Sequence, residues 1–181
     1  NGNLRELLIR NDDPNSNREA FLALTGSEDD YLGYLALQDM QSQLATAVWP
    51  SLTKPLVSRD DMRHQMGTDG EDAWQDVIEN PLGQAIERLI SDDLIRGLVF
   101  TDGRIGLSTF PHDPSLIQNR SFLYHVIGRG TGEWRVPVGG MGALVNELVR
   151  VALSTGNVEI VTEASVSHVA PGKKRSSLTI E

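Results

Sequence analysis

Gly139, Gly140 and Gly142 stand between a short extended run, residues 134–138, and a helical pattern. The apolar positions of that pattern are Met141, Leu144, Val145, Leu148, Val149, Ala152 and Leu153, the spacing of a helix with one buried stripe. Glycines where a strand enters a helix gather bare backbone N–H groups and the positive end of the helix dipole at one point. A phosphate, a carboxylate or a flavin edge can sit there. The plainer reading is a glycine turn linking two packed elements. Gly140-Met141-Gly142, with Glu163 about 20 residues on, also has the outline of a dinucleotide fingerprint. Against that outline, branched Val145 stands where a third small residue belongs, and no second half follows to complete a doubly wound sheet.

Other chemistry is thinner. Tyr124 and His125 lie side by side in an apolar segment, where a core or helix-face pair competes with a general acid–base role. Trp134, next to the glycine loop 128–132, is a packing aromatic or the wall of a ligand pocket. The four histidines (His64, His112, His125, His168) have no ligand spacing, and consecutive carboxylates such as Asp29-Asp30 read as partners of a helix dipole rather than metal ligands. The chain has no cysteine, which excludes disulfides, thiolate catalysis and cysteine-bound metal. A net charge of −9 with no clustered basic face argues against nucleic-acid binding. No apolar run approaches the roughly 18 residues of a membrane span.

The elements that must position these residues are mostly helical. Helices are expected near residues 18–24, stopped by Gly26; at 29–49, ended by Pro50; at 62–67 behind the Ser58 cap; and at 73–79. Pro81 then opens a helix with the stripe Leu82, Ala85, Ile86, Leu89 and Ile90. Ser91-Asp92 caps another that runs to Gly103. Residues 4–10 and 158–161 read as strands, 104–120 as an ordered loop, and 121–127 as either helix or strand. Residues 165–170 and 177–180 pair as a hairpin across Pro171-Gly172. The fold class is α+β, a mainly helical domain with a small mixed or antiparallel sheet.

Residues 122–144, from Phe122-Leu-Tyr-His through Trp134-Arg-Val-Pro-Val-Gly-Gly-Met-Gly142, resemble the middle of phytoene dehydrogenase-like FAD-dependent oxidoreductases. That group includes the pyridine nucleotide-disulfide oxidoreductase domain-containing type 2 proteins. Residues 157–169 resemble the same group's return strand, and residues 93–106 and the helix ending Trp49-Pro50 are also similar. The resemblance implies a substrate-binding helical domain over residues 1–138. Residues 139–181 then return to an FAD-binding domain that is otherwise absent. It implies FAD in the full-length protein, with none bound to this fragment, which alone is inactive.

By position, Gly139, Gly140, Met141, Gly142 and Val166 would face the cofactor, while Tyr124, His125 and Trp134 would line a substrate pocket. No residue takes an assigned catalytic role, because the flavin carries the hydride chemistry. The expected partners are a small molecule, apolar substrates among them, and the absent FAD-binding domain of the same chain. A second copy meeting it through exposed strand edges is a further one. The chain begins Asn-Gly-Asn and ends on a strand-like segment, so a piece of something longer is expected, cytoplasmic or membrane-peripheral as a whole. The alternative is a stand-alone helical interaction or regulatory module without catalysis.

Overall fold

The computed structural model describes residues 6–130, 135–173 and 175–180. It is α+β and mainly helical. Two compact units, Asn1–Trp134 and Arg135–Glu181, divide the chain.

The first unit is built around a 20-residue helix, α2 (Asp29–Val48), against which most of the other helices pack. Before it comes α1 (Pro14–Thr25), with Pro14 at its start, Asp13 accepting from the Ser16 N–H, and left-handed Gly26 closing it. After it, a 3₁₀ turn (Trp49–Thr53) leads to α3 (Arg59–Met66), capped by the Ser58 hydroxyl on the Asp61 N–H. Short α4 (Glu71–Trp74) runs straight into a π-helix, Gln75–Glu79. Then follow α5 (Leu82–Leu89), α6 (Asp93–Arg104) and α7 (Ile117–Val126). Phe21, Leu37, Leu44, Val77, Leu82, Ile86, Ile95 and Phe122 form one continuous core among them. Fully burying each such side chain contributes about 1.5–3 kcal/mol.

Polar side chains fix the register. Buried Asp30 on α2 accepts from the backbone N–H groups of Ser91 and Asp92, and Asp92 in turn caps α6 through Leu94 and Ile95. Asp76 of the π-helix, buried, takes both arms of the Arg88 guanidinium from α5. Asn119, also buried, clamps the turn between the π-helix and α5. Its Oδ1 accepts from Leu82 N–H at 3.1 Å, and its Nδ2 donates to Val77 O at 2.9 Å and Asn80 O at 2.7 Å. At Gly33, α2 rides so close on the end of α5 that a Cβ would lie 1.7 Å from the Leu89 carbonyl oxygen.

Three expectations change. Residues 6–10 form no strand, because Arg10 spends its backbone on Asn17: its N–H donates to Asn17 Oδ1 and its carbonyl accepts from Asn17 Nδ2, each at 2.7 Å. Residues 158–161 are irregular, and no described residue pairs with them as a strand. The 104–120 loop is shorter than its composition suggests. Leu116, at φ 57°, starts α7 one residue later, and residues 121–126 are helical.

The second unit holds α8 (Gly140–Ser154) and a hairpin of β1 (Val166–Ala170) and β2 (Ser177–Ile180). The strands are antiparallel, pairing Val166 with Ile180 and Ala170 with Ser177, with an irregularity between Val166 and His168. None of the described residues of α8 is buried. Met141, Leu144, Val145, Leu148 and Leu153 are all largely exposed, as are Val166, Val169, Leu178 and Ile180. An amphipathic helix normally owes its stability to the face it buries. This one has its stripe in place, and none of its residues reaches the buried state.

Candidate functional site

The glycine turn is built as its sequence requires. Gly139 (φ 87°) and Gly140 (φ 72°) both occupy left-handed backbone, where side chains other than glycine are strained. The Gly140 N–H closes the turn on the Pro137 carbonyl at 2.9 Å. Gly139 is the N-cap of α8 and has no side chain to cap with, and the first turn of the helix contains no acidic residue. A Cβ at Gly140 or Gly142 would meet nothing within 4 Å, so the turn is uncrowded on that side, although the Gly140 N–H itself is already spent on Pro137. The positive end of the helix and its uncrowded glycine backbone suit the edge of a flat, electron-rich group or an anion. Val166, the first residue of β1, is half exposed in the same unit.

Tyr124 and His125, predicted together, do meet. Their rings pack edge to face at 5.3 Å between centroids and 87° between planes. Tyr124 is 75% exposed, whereas His125 turns inward. His125 Nδ1 lies 2.7 Å from the Ser121 carbonyl, so that nitrogen carries the proton and donates. Trp134 lies outside the described residues.

The fold adds two titratable groups that sequence spacing does not reveal. Ser121 Oγ donates to the Asp102 carbonyl at 2.9 Å, tying α7 to α6 beside His125. Burial pushes the Asp102 carboxyl above its usual range, with His125 pulling it partly back. Burial likewise raises the Tyr34 phenol on α2, with the charge of Asp102 adding to it. Gln38 Nε2 donates to the Tyr34 hydroxyl at 2.7 Å, and the Tyr34 ring packs on Phe21 with centroids 5.2 Å apart. Tyr34, Asp102 and His125 come from α2, α6 and α7, so only the packed bundle assembles them. A proton held at Asp102 has a measurable consequence. Its folded carboxyl is easier to protonate than the unfolded one, so its contribution is favourable in acid and lost as pH rises through the raised value. Asp102→Asn should therefore raise the melting temperature at neutral pH. That advantage should shrink as the pH falls into the carboxylate range, which thermal unfolding at a series of pH values will show.

An open groove of about 360 Å³ on the first unit is lined by Leu7, Leu24, Leu94, Ile95, Gly97 and Leu98, with Asp93 and Thr101 as its polar members. Its volume lies near the low end of small-molecule sites, about 300–1,000 Å³. Among the described residues, no group of three or more histidines, aspartates or glutamates could hold a metal ion. No described helix is long and apolar enough to cross a membrane.

No protein-family model matches the chain, and no solved structure matches it. It is 39% identical over 158 residues to an uncharacterised protein of Mycobacterium tuberculosis and to one of Mycobacterium bovis, an alignment covering 85% of this chain. The chain spans 29% of the length of those relatives. Over 99 residues, 53% of the chain, it is 31% identical to the mouse pyridine nucleotide-disulfide oxidoreductase domain-containing protein 2, of which that stretch is 16%. The rat counterpart is 29% identical over the same length. The chain is thus a partial homologue of an oxidoreductase domain-containing protein over about half its length.

Proposed function

We propose that the chain is the substrate-binding portion of an FAD-dependent oxidoreductase of the phytoene dehydrogenase-like group, inactive alone and completed by further chain that carries the flavin-binding fold. The observation that carries this reading is the state of α8: its apolar stripe is exposed from Met141 to Leu153, behind a bare glycine N-terminus. Both features suit a helix that packs on a sheet and presents its first turn to a cofactor. The partial homology to an oxidoreductase domain-containing protein supports the same class.

In this reading FAD, once bound, supplies the redox chemistry. The chain's own residues bind and orient. The backbone at Gly139, Gly140, Met141 and Gly142 approaches the cofactor edge, Val166 offers backbone groups at the first residue of β1, and Tyr124, His125 and Trp134 line the substrate side. The substrate is a small molecule with an apolar body. The rest of the flavin domain covers the hairpin edges. A second copy of the chain is the other partner that open strand edges would accept. The whole protein lies in the cytoplasm or at a membrane surface.

The test is to express the complete source reading frame and purify it. A yellow protein absorbing near about 450 nm is expected. In that protein Gly140→Val should cut flavin retention several-fold without unfolding the helical unit, because the side chain both strains the φ 72° turn and fills its uncrowded side. A colourless protein that refuses added FAD overturns the reading. The second reading, a helical interaction module without catalysis, would then stand. It is favoured by one fact: the first unit carries a complete core of its own.

A further inference from the structure

The exit of α2 is unlike the rest of the molecule. Acidic residues make up about one in seven of the chain, yet none occurs from Met40 to Arg59, and Lys54 is the one charge in residues 40–58. Within that stretch the 3₁₀ turn Trp49–Thr53 packs on α2, with the Trp49 ring against Gly130, and the segment after it stands clear of its neighbours. Trp49, Pro50, Leu52, Pro55, Leu56 and Val57 are all exposed, and Leu56 is 93% exposed. A side chain so clear of its neighbours walls no groove. It is a projection rather than a recess, and it costs solvation free energy wherever water surrounds it.

We propose that residues 49–57 are a lipid-surface contact, a loop that seats Leu52, Leu56 and Val57 among acyl chains, with Trp49 and Lys54 at headgroup level. Three features fit that surface. Tryptophan prefers the membrane–water interface, with its ring in the apolar side and its N–H toward water. Lys54 can lay its stem along the apolar patch and raise its ammonium to anionic headgroups, while the missing carboxylates remove repulsion from them. Backbone N–H groups that leave water unpaired are the main cost of inserting a loop. Here Pro50 and Pro55 have no N–H, the Lys54 N–H bonds to the Ser51 carbonyl at 3.3 Å, and the Ser51 hydroxyl bonds to the Val48 carbonyl at 2.7 Å. The loop is thus apolar outside and part-satisfied inside. None of this depends on flavin, so a colourless protein could carry the same contact.

The experiment is cosedimentation of the chain with vesicles of phosphatidylcholine, with and without phosphatidylserine. The unaltered chain should pellet with vesicles, more so with phosphatidylserine. Leu56→Asp should lower the bound fraction about tenfold or more, with circular dichroism and melting temperature unchanged because Leu56 touches almost nothing. Lys54→Glu should remove the phosphatidylserine increment and leave binding to phosphatidylcholine. The proposal is overturned if the unaltered chain stays in the supernatant, or if Leu56→Asp pellets as well as it does. It is equally overturned if Leu56→Asp abolishes a concentration-dependent dimer while neither form binds lipid, since a second copy then covers the loop.

Discussion

Gly33→Ala should destabilise the first unit by about 3 kcal/mol, at the upper end of what overpacking costs. For a chain of this length, that lowers the melting temperature by about 6–12 °C. Helix propensity alone predicts the reverse, since alanine is favoured over glycine by about 1 kcal/mol in a helix interior. Packing wins here because the added Cβ would lie 1.7 Å from Leu89 O and 2.7 Å from Leu89 C, and neither backbone atom can rotate away. The end of α5 must back off α2, loosening Leu37, Leu82 and Ile86 together. Gly97→Ala is the internal control. It is the same chemical change in the middle of α6, where a Cβ meets nothing within 4 Å, so it should stabilise by up to about 1 kcal/mol. Urea unfolding followed by far-ultraviolet circular dichroism gives both signs in one series. A common sign for the two variants would contradict the close approach of α2 and α5.

Asn119→Ala should cost a comparable amount, about 3 kcal/mol, by a different route. It strands the Leu82 N–H and the carbonyls of Val77 and Asn80, and one unpaired buried polar group alone costs about 1–3 kcal/mol. Asn119→Asp separates the donor from the acceptor role. The carboxylate still accepts from Leu82 but confronts two carbonyl oxygens where Nδ2 donated. At neutral pH it should therefore be at least as damaging as alanine. In acid the protonated carboxyl regains one donor, so part of the loss should return as pH falls. The fluorescence of Trp74, buried four residues before Ile78 on the same turn, reports the transition. An aspartate variant that is insensitive to pH would sink the clamp.

The local grammar of this chain is legible in its sequence, and its long-range polar contacts are not. Ser58, Asp92 and Gly26 act as the caps their positions announce, because capping is settled within a few residues. The stripe of α8 and the hairpin across Pro171-Gly172 follow for the same reason. Residues 6–10 have the composition of a strand, but the pairing of Arg10 with Asn17 competes for the same backbone groups. Asn119 is one asparagine among many polar residues until the fold brings it to the turn at Asn80. The glycine turn was legible by residue type and by its place at a helix start, but the expected extended run before it is irregular over the described residues 135–137. Tyr34 and Asp102 were not, since their relation to His125 exists only through helix packing.

The Asn119 clamp also sets a clock on synthesis. Leu82 and Asn119 are 37 residues apart, so the groups that need this side chain are made well before it is. At about 5–20 residues per second, the ribosome takes roughly two to seven seconds to bridge that interval. During it, the Leu82 N–H and the carbonyls that Asn119 will bind must turn to water. Helices α1 to α5 can collapse on their apolar faces in far less time. The nascent helical unit therefore waits as a loosely closed bundle until α7 emerges, and at that stage a trigger of aggregation or a chaperone would find it most open.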